Sequence, residues 1–344
     1  MTRKVRQAIV MVGGKGTRLR PLTDERPKPI LPVLDRPCLS YLISSLAKGG
    51  IEEVFLACGY RPEKMASAIG DGTAEGISIE YSYEDPPAGT AGAIKLLEDR
   101  LDDTFVACNG DVFADIDLKA EIDEHKRTDA SLTISLTPVA NPCEFGIARL
   151  DNDNRILEFR EKPKPEEVFS NLVNAGVYVI EKEIMQYVPK GQMFDFSKDL
   201  TPKIMDLGYR IQGHMLSGMW MDVGRPNDLF ESNILMAERL YAGKKWDNVH
   251  DSEITGSFYL GAGGKVSGSN IMSSVISKGS AVENASISRS LIMADCNISG
   301  ATITGSILGE RCTVKEGASI TNAVLADGTV VGENENIRNE RGQR

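Results

Sequence analysis

The sequence predicts an α/β protein: a three-layer domain on a mixed, mostly parallel sheet, followed by a short left-handed parallel β-helix. Two observations carry this. Over residues 4–240, short apolar strand-like runs alternate with helix-spaced segments, the pattern of strands covered by helices. After about residue 245 the helical patterns stop, and aliphatics recur every five or six residues. The expected domains are therefore 1–245 and 246–344.

Val5–Val12 is a compact apolar run and reads as a strand buried on both faces. In "CLSYLISSLAKG", Leu39, Leu42, Ile43 and Leu46 fall at helical spacing. "EEVFLACG" is the next strand, "TAGAIKLLEDRL" a helix, and "TFVACNGDVF" a strand running into a polar turn. "ASLTISLTPV" alternates with period two, as does "GIARLDNDNRILEFREKP" around a turn. In the tail, Ile271, Ile287 and Ile303 correspond, and so do Ile276, Ile292 and Leu308, so the repeat closes at 16 residues. "SITNAVL" continues it after one extra residue. Such a unit cannot bury its aliphatic face alone and must stack on copies of itself. Ordinary antiparallel strands are the alternative. The last residues, "NENIRNERGQR", lack an apolar face and read as a frayed end.

Composition narrows the function. At 344 residues and 41% hydrophobic content, the chain can build a core of ordinary size. A net charge of −10 argues against broad binding to nucleic acid or anionic membranes. No run of 18 apolar residues offers a membrane span. Six scattered cysteines without a C-x-x-C pair read as small buried hydrophobes in a reducing, cytoplasmic setting. Three histidines, His125, His214 and His250, cannot assemble a zinc cluster at the usual spacings.

Against this acidic background, "MVGGKGTRLRPLTDERPKPILPV" (11–33) concentrates glycines and bases after a strand. Glycines let backbone N–H groups approach an anion, and the bases neutralise it, so the stretch reads as a phosphate cradle. It is not a P-loop, and Leu19 stands where a dinucleotide fingerprint needs its third glycine. A plain tight turn is the alternative. For Asp111 and Asp222 the alternative is a turn or helix cap. For "RPKP" it is a bare extended turn, although that stiffness would also fix Lys28.

This stretch resembles the signature of the sugar-1-phosphate nucleotidyltransferases, the nucleotide-sugar pyrophosphorylases. "PAGTAGA" (87–93), "NGDVF" (109–113), "FREKP" (159–163), "NAGVYV" (174–179) and "GMWMDVGRPND" (218–228) resemble later motifs of that family, in its order. The β-helical tail resembles that of its longer members. The text is most similar to the guanylyltransferases that make GDP-mannose, with thymidylyl and uridylyl relatives not far behind. The resemblance implies a Rossmann-like nucleotidyltransferase domain. It also implies transfer of a nucleotidyl group from a nucleoside triphosphate to a sugar 1-phosphate, with Mg2+ and without a covalent intermediate.

Residue by residue, it places Val12, Gly13, Gly14, Gly16, Thr17, Gly89 and Thr90 at the nucleotide. Arg18 would clamp the triphosphate and the developing pyrophosphate, and Lys28 the α-phosphate. Asp111 and Asp222 would hold the metal. Lys162 would take the sugar phosphate and Glu161 the sugar hydroxyls, with the backbone at Gly146 and the amide of Asn174 completing the pocket. Glu84, five residues before Gly89, would read the base. A carboxylate only accepts hydrogen bonds, which suits the N1–H and N2 amino group of guanine. If the loop register is shifted, Asp85 or backbone would meet the base instead. Two other readings remain: a non-catalytic paralogue that binds nucleotide sugars, and a second acyl-transfer activity in the tail, where no histidine follows His250. An assembly role for the tail, giving a homo-oligomer, is preferred.

Overall fold

A computed structural model describes residues 4–83 and 88–339. By contact density the chain forms two compact units. The first is Met1–Gly14 with Leu39–Trp220, and the second is Lys15–Cys38 with Met221–Arg344. The glycine-and-lysine loop therefore groups with the tail, not with the sheet whose first strand precedes it.

The first unit is built on a nine-stranded mixed sheet. Its strands are β1 (Gln7–Val12), β2 (Glu53–Cys58), β3 (Ser78–Tyr83), β4 (Thr104–Asn109), β5 (Leu132–Pro138), β6 (Gly146–Leu150), β7 (Ile156–Glu161), β8 (Leu172–Glu181) and β9 (Ile211–Met215). The main path runs β7-β6-β8-β4-β1-β2-β3, with β5 on β8 and β9 on β5. Strands β4, β1, β2 and β3 are parallel. β8 is antiparallel to β4, β5 and β6. Every residue of β1 is buried, as expected of a strand covered on both faces. Helices α2 (Pro62–Ile69), α3 (Thr90–Leu96), α4 (Leu118–Thr128) and α5 (Thr201–Asp206) lie in this unit, as does α1 (Cys38–Lys48) after its first residue.

The helix expected over 90–101 ends at Leu96 and continues as a 3-10 turn, Glu98–Arg100. The tighter turn brings both Leu97 and Leu101 into the core and leaves Leu96 outside. Helix α4 starts on Asp117, whose carboxylate accepts from Ala120 N at 3.2 Å. Its inner face carries Leu118, Ile122 and, less expectedly, Glu121 and His125. His125 is held between Thr133 Oγ1 (2.8 Å) and Glu181 Oε1 (3.1 Å), a packing role.

Glu121 is buried, and its Oε2 accepts from Ser135 Oγ at 2.6 Å. Burial pushes its pKa up to about 8, and the nearby charge of Glu124 adds to the rise. An unfolded chain releases this proton near the ordinary value of 4.5, and the folded chain holds it until about 8. Raising pH between those values therefore favours unfolding, by on the order of 1 kcal/mol per pH unit. Glu121→Gln has no proton to lose. Its melting temperature should exceed that of the parent by a margin that grows from pH 5 to pH 8. A margin independent of pH over that range would show that the carboxyl ionises in place.

The second unit is a parallel β-helix capped by helix α6 (Pro226–Tyr241) and the loop 15–38. The 16-residue register expected from the sequence is the one observed. Ile271 pairs with Ile287 and Ile287 with Ile303, and Ile276 continues through Ile292 to Leu308. The extra residue also falls as expected, since Ile303 pairs with Ile320. These aliphatics form one core with Val266, Val282, Ile298 and Val314.

Two columns complete each coil. One corner is left-handed at Ser273, Arg289, Gly305 and Asn322, with φ between 43° and 59°. The next residue is a buried serine in three of these coils. Ser274 Oγ accepts from Ser290 N, Ser290 Oγ from Ser306 N, and Ser306 Oγ from Ala323 N, each at 3.1 Å. These hydroxyls satisfy amides that the sharp corner turns away from the ladders. At the mouth of the stack, Tyr241 packs on Tyr259 (ring centroids 5.0 Å) and Trp246 on Phe258 (5.7 Å), joining α6 to the first coils. No described helix is long and apolar enough to cross a membrane.

Candidate active site

In the second unit the loop 15–38 folds back on itself. Thr23 Oγ1 donates to Gly16 O at 2.8 Å. Gly16 has φ 60°, and a Cβ there would lie 3.0 Å from Lys28 Cβ, so glycine suits both the conformation and the space. Lys28 opens a 3-10 turn, Lys28–Ile30, with Pro27 before it and Pro29 within it. The two prolines stiffen the segment, as the sequence suggested. The lysine is 7% exposed, and its Nζ lies 3.3 Å from Asp222 Oδ1.

Arg18 comes to the same place. A Cβ on Gly224 would stand 3.1 Å from Arg18 Nη2 and 3.2 Å from Asp222 Oδ2. Gly224 thus leaves space beside a guanidinium and a carboxylate. Asp228, which the sequence reading passed over, completes the group. It caps α6 by accepting from Arg225 N at 2.7 Å. Burial raises its pKa, the charge of Asp222 raises it further, and Arg225 and Lys28 oppose the rise. The signal was legible: in "GRPND", proline follows the cap and an acid stands two residues after it.

The first unit carries the residues expected at the sugar phosphate. A Cβ on Gly146 would meet Phe159 Cζ at 2.5 Å and Glu161 Oε2 at 2.7 Å, so the Glu161 carboxylate lies against bare backbone. Burial raises the Glu161 pKa, the Lys162 ammonium 4.0 Å away lowers it, and Asp195 raises it. Lys162 has φ 45°, its N–H donates to Phe145 O at 2.9 Å, and its side chain is 67% exposed. The positive φ sets the backbone of Lys162 at the end of β7.

Asn174, expected to complete the sugar pocket, hydrogen-bonds within the first unit. Its Nδ2 donates to Tyr178 Oη (2.8 Å) and Ser197 Oγ (3.0 Å), and its Oδ1 accepts from Gly176 N (2.9 Å). The β8 register shifts between Asn174 and Tyr178. Trp220 donates from Nε1 to Ala175 O at 2.7 Å, which fixes the same bulge.

Asp195 was missed in the sequence. It accepts from Ser197 N and Lys198 N (both 2.9 Å) and from Thr90 Oγ1 (3.0 Å). A helix-cap pattern, Asp ahead of Phe-Ser-Lys, was its signal. Thr90 opens α3 directly after Gly89, whose φ is 77° and whose Cβ would be 2.7 Å from Phe194 O. Asp111 follows Gly110, where a Cβ would be 2.4 Å from Val12 Cγ1, so the residue after β4 must be glycine beside β1. Gly13 and Gly14 lie in the loop after β1. Glu84 and Asp85 lie outside the described residues.

Lys162→Ala is expected to raise KM for the sugar 1-phosphate more than KM for the nucleotide. It also removes a charge that keeps Glu161 ionised, so the acid limb of the pH–rate profile should move to higher pH. Arg18→Ala should act on nucleotide KM or kcat instead. Damage confined to nucleotide binding in both variants would put Lys162 elsewhere.

The donor chemistry suits a hard divalent cation. Asp222 offers carboxylate oxygens at 25% exposure, and such an ion needs one or two carboxylates plus phosphate oxygens and water. Among the described residues no group of three or more His, Cys, Asp or Glu side chains forms a metal cage.

Residues 7–239 match the family model described as nucleotidyl transferase, and residues 283–340 match a GlmU-like C-terminal hexapeptide model. A mannose-1-phosphate guanylyltransferase of Mycobacterium tuberculosis is 39% identical over 64% of this chain and 62% of its own length. The chain thus spans less than two thirds of that relative. A UTP–glucose-1-phosphate uridylyltransferase of Synechocystis is 30% identical over 82% of both chains. Among solved structures, a Bacillus anthracis protein provisionally named a glucose-1-phosphate thymidylyltransferase, in complex with a sucrose, superposes with TM-score 0.61. It is 26% identical and covers 67% of this chain and 95% of its own. The chain belongs to the nucleotidyl transferase family, and within it to the sugar-1-phosphate nucleotidyltransferases.

Proposed function

We propose that the protein transfers a guanylyl group from GTP to mannose 1-phosphate, with Mg2+, releasing pyrophosphate. One observation carries the reaction class: Arg18 and Asp222 meet beside the bare backbone of Gly224, and Lys28 pairs with the same Asp222, within one compact unit. Two cations and a carboxylate around such a space suit a triphosphate and its metal better than a turn does.

In this reading an oxygen of the sugar phosphate attacks the α-phosphorus. The new bond is P–O, the bond to the β-phosphate oxygen breaks, and pyrophosphate leaves with the electron pair. Lys28 neutralises the α-phosphate. Arg18 takes charge that grows on the leaving phosphates. Lys162 orients the incoming phosphate, and Glu161 accepts sugar hydroxyls. Asp111 and Asp222 would hold the ion, which when bound neutralises phosphate oxygens. Positioning and charge supply the catalysis, and no side chain needs to become a nucleophile. We keep residues 1–245 as the proposed catalytic domain and assembly through the β-helix as its proposed oligomer contact. Sedimentation as a monomer at micromolar concentration would remove the latter.

The mannose relatives, and the carboxylate expected of Glu84, support GTP. The uridylyl relative matched along both domains favours UTP with glucose 1-phosphate as the second reading. Pyrophosphate release from each nucleoside triphosphate against several sugar 1-phosphates decides. GTP with mannose 1-phosphate should lead by roughly 10- to 100-fold in kcat/KM, and Glu84→Gln should relax that lead. A preference for UTP or dTTP by that margin overturns the substrate assignment.

A further inference from the structure

The loop that carries Lys28 is anchored at two points to one column of the β-helix. Stacked backbone hydrogen bonds define the column. Asp295 N donates to Lys278 O (2.9 Å), Arg311 N to Ala294 O (2.8 Å) and Gly328 N to Glu310 O (2.7 Å). Lys278, Ala294, Glu310 and Asp327 therefore stand one above another on successive coils. At one end, Asp35 accepts from Lys278 N (3.0 Å) and from Tyr259 Oη (2.9 Å). At the other, Arg26 donates through Nη1 to Glu310 Oε1 at 2.5 Å and through Nη2 to Asp327 Oδ2. Between the anchors, Leu34 N donates to the buried Asn233 Oδ1 of α6 at 2.6 Å.

These groups are largely withdrawn from water. Arg26 is 13% exposed, Asp327 20% and Glu310 27%. Burial works against the Arg26 charge, and the two carboxylates more than restore it. Charged pairs withdrawn from water seldom add net stability over apolar packing, but they fix geometry once both partners are present. Arg26 is two residues from Lys28, with Pro27 between them, so little slack separates anchor from ammonium.

We infer that Glu310 and Asp327 of the β-helix are positioning residues for Lys28, acting through Arg26, so that the tail sets the catalytic loop rather than merely following it. This rests on the nucleotidyl-transfer reading of the site.

The test uses full-length protein with Glu310→Gln/Asp327→Asn, Arg26→Met and the triple combination. The double variant should lose about 10- to 100-fold in kcat, the scale of a small misplacement of a catalytic group. KM for the sugar 1-phosphate should stay within about two-fold, because Lys162 and Glu161 are untouched. The triple variant should be no worse than Arg26→Met, since all three side chains act as one. Hydrogen exchange should speed up at the amides of Ile30, Leu31 and Leu34, while those of Arg311 and Gly328 keep their protection. Unchanged kcat with unchanged exchange in the loop overturns the proposal. So does a loss of kcat that tracks lost protection of the coils, which is the mark of a structural prop. If the parent protein releases no pyrophosphate from any substrate pair, the functional reading fails, and the exchange measurement still decides the anchoring.

Discussion

Lys28→Met lowers kcat by about 10²- to 10³-fold, the cost of losing one preorganised charge beside a reacting phosphate. The fold is expected to persist. Methionine keeps most of the volume at a site only 7% exposed and brings no charge to be desolvated. Asp222, left without the ammonium 3.3 Å away, is 25% exposed and can be solvated. Melting should therefore be unchanged or slightly higher while turnover collapses. Steady-state kinetics and a thermal melt on one preparation check this. A variant that retains a third of parental kcat would mean that Lys28 is a structural lysine paired with Asp222 and no more.

Asp222→Ala lowers kcat by at least about 10²-fold, and excess Mg2+ does not restore it. Its carboxylate faces Lys28 and lies beside the space at Gly224, so its loss also removes an ion-pair partner of the ammonium. Asp111→Ala is expected to do the same from the first unit. The two losses should not multiply in the double variant if they serve one ion. Near-normal turnover of Asp222→Ala at saturating Mg2+ would take it out of the metal set.

What was legible in the sequence was local or periodic. Ile271, Ile287, Ile303 and, one residue late, Ile320 could be aligned from the text because each coil repeats the same inward position. The hairpin β6–β7 was legible for a similar reason, alternation around a polar turn. The serine column was open to the same reading and was missed, because a buried hydroxyl looks like any surface serine until the corner beside it is known. The grouping of loop 15–38 with the tail was not legible. Arg26 and Glu310 are 284 residues apart, and neither belongs to a repeat that predicts the other. The partners of Asn174 were not legible for a different reason. An amide can be spent on its own strand, and the bulge that spends it here is specified by Gly176. A Cβ there would lie 2.6 Å from Asn109 Nδ2.

The column of Lys278, Ala294, Glu310 and Asp327 makes tail length a quantised variable. Removing one whole 16-residue coil, for instance the step from Ile287 to Ile303, would preserve the inward pattern and the serine ladder. It would also bring Glu310 and Asp327 about 4.8 Å nearer to the anchor of Asp35, the spacing of neighbouring strands. A span of loop as stiff as Arg26–Asp35 cannot follow a step of that size. Coils between Lys278 and Asp327 are thus locked in number by the loop they hold. A change in the number of coils between Lys278 and Asp327, by evolution or by design, should be penalised.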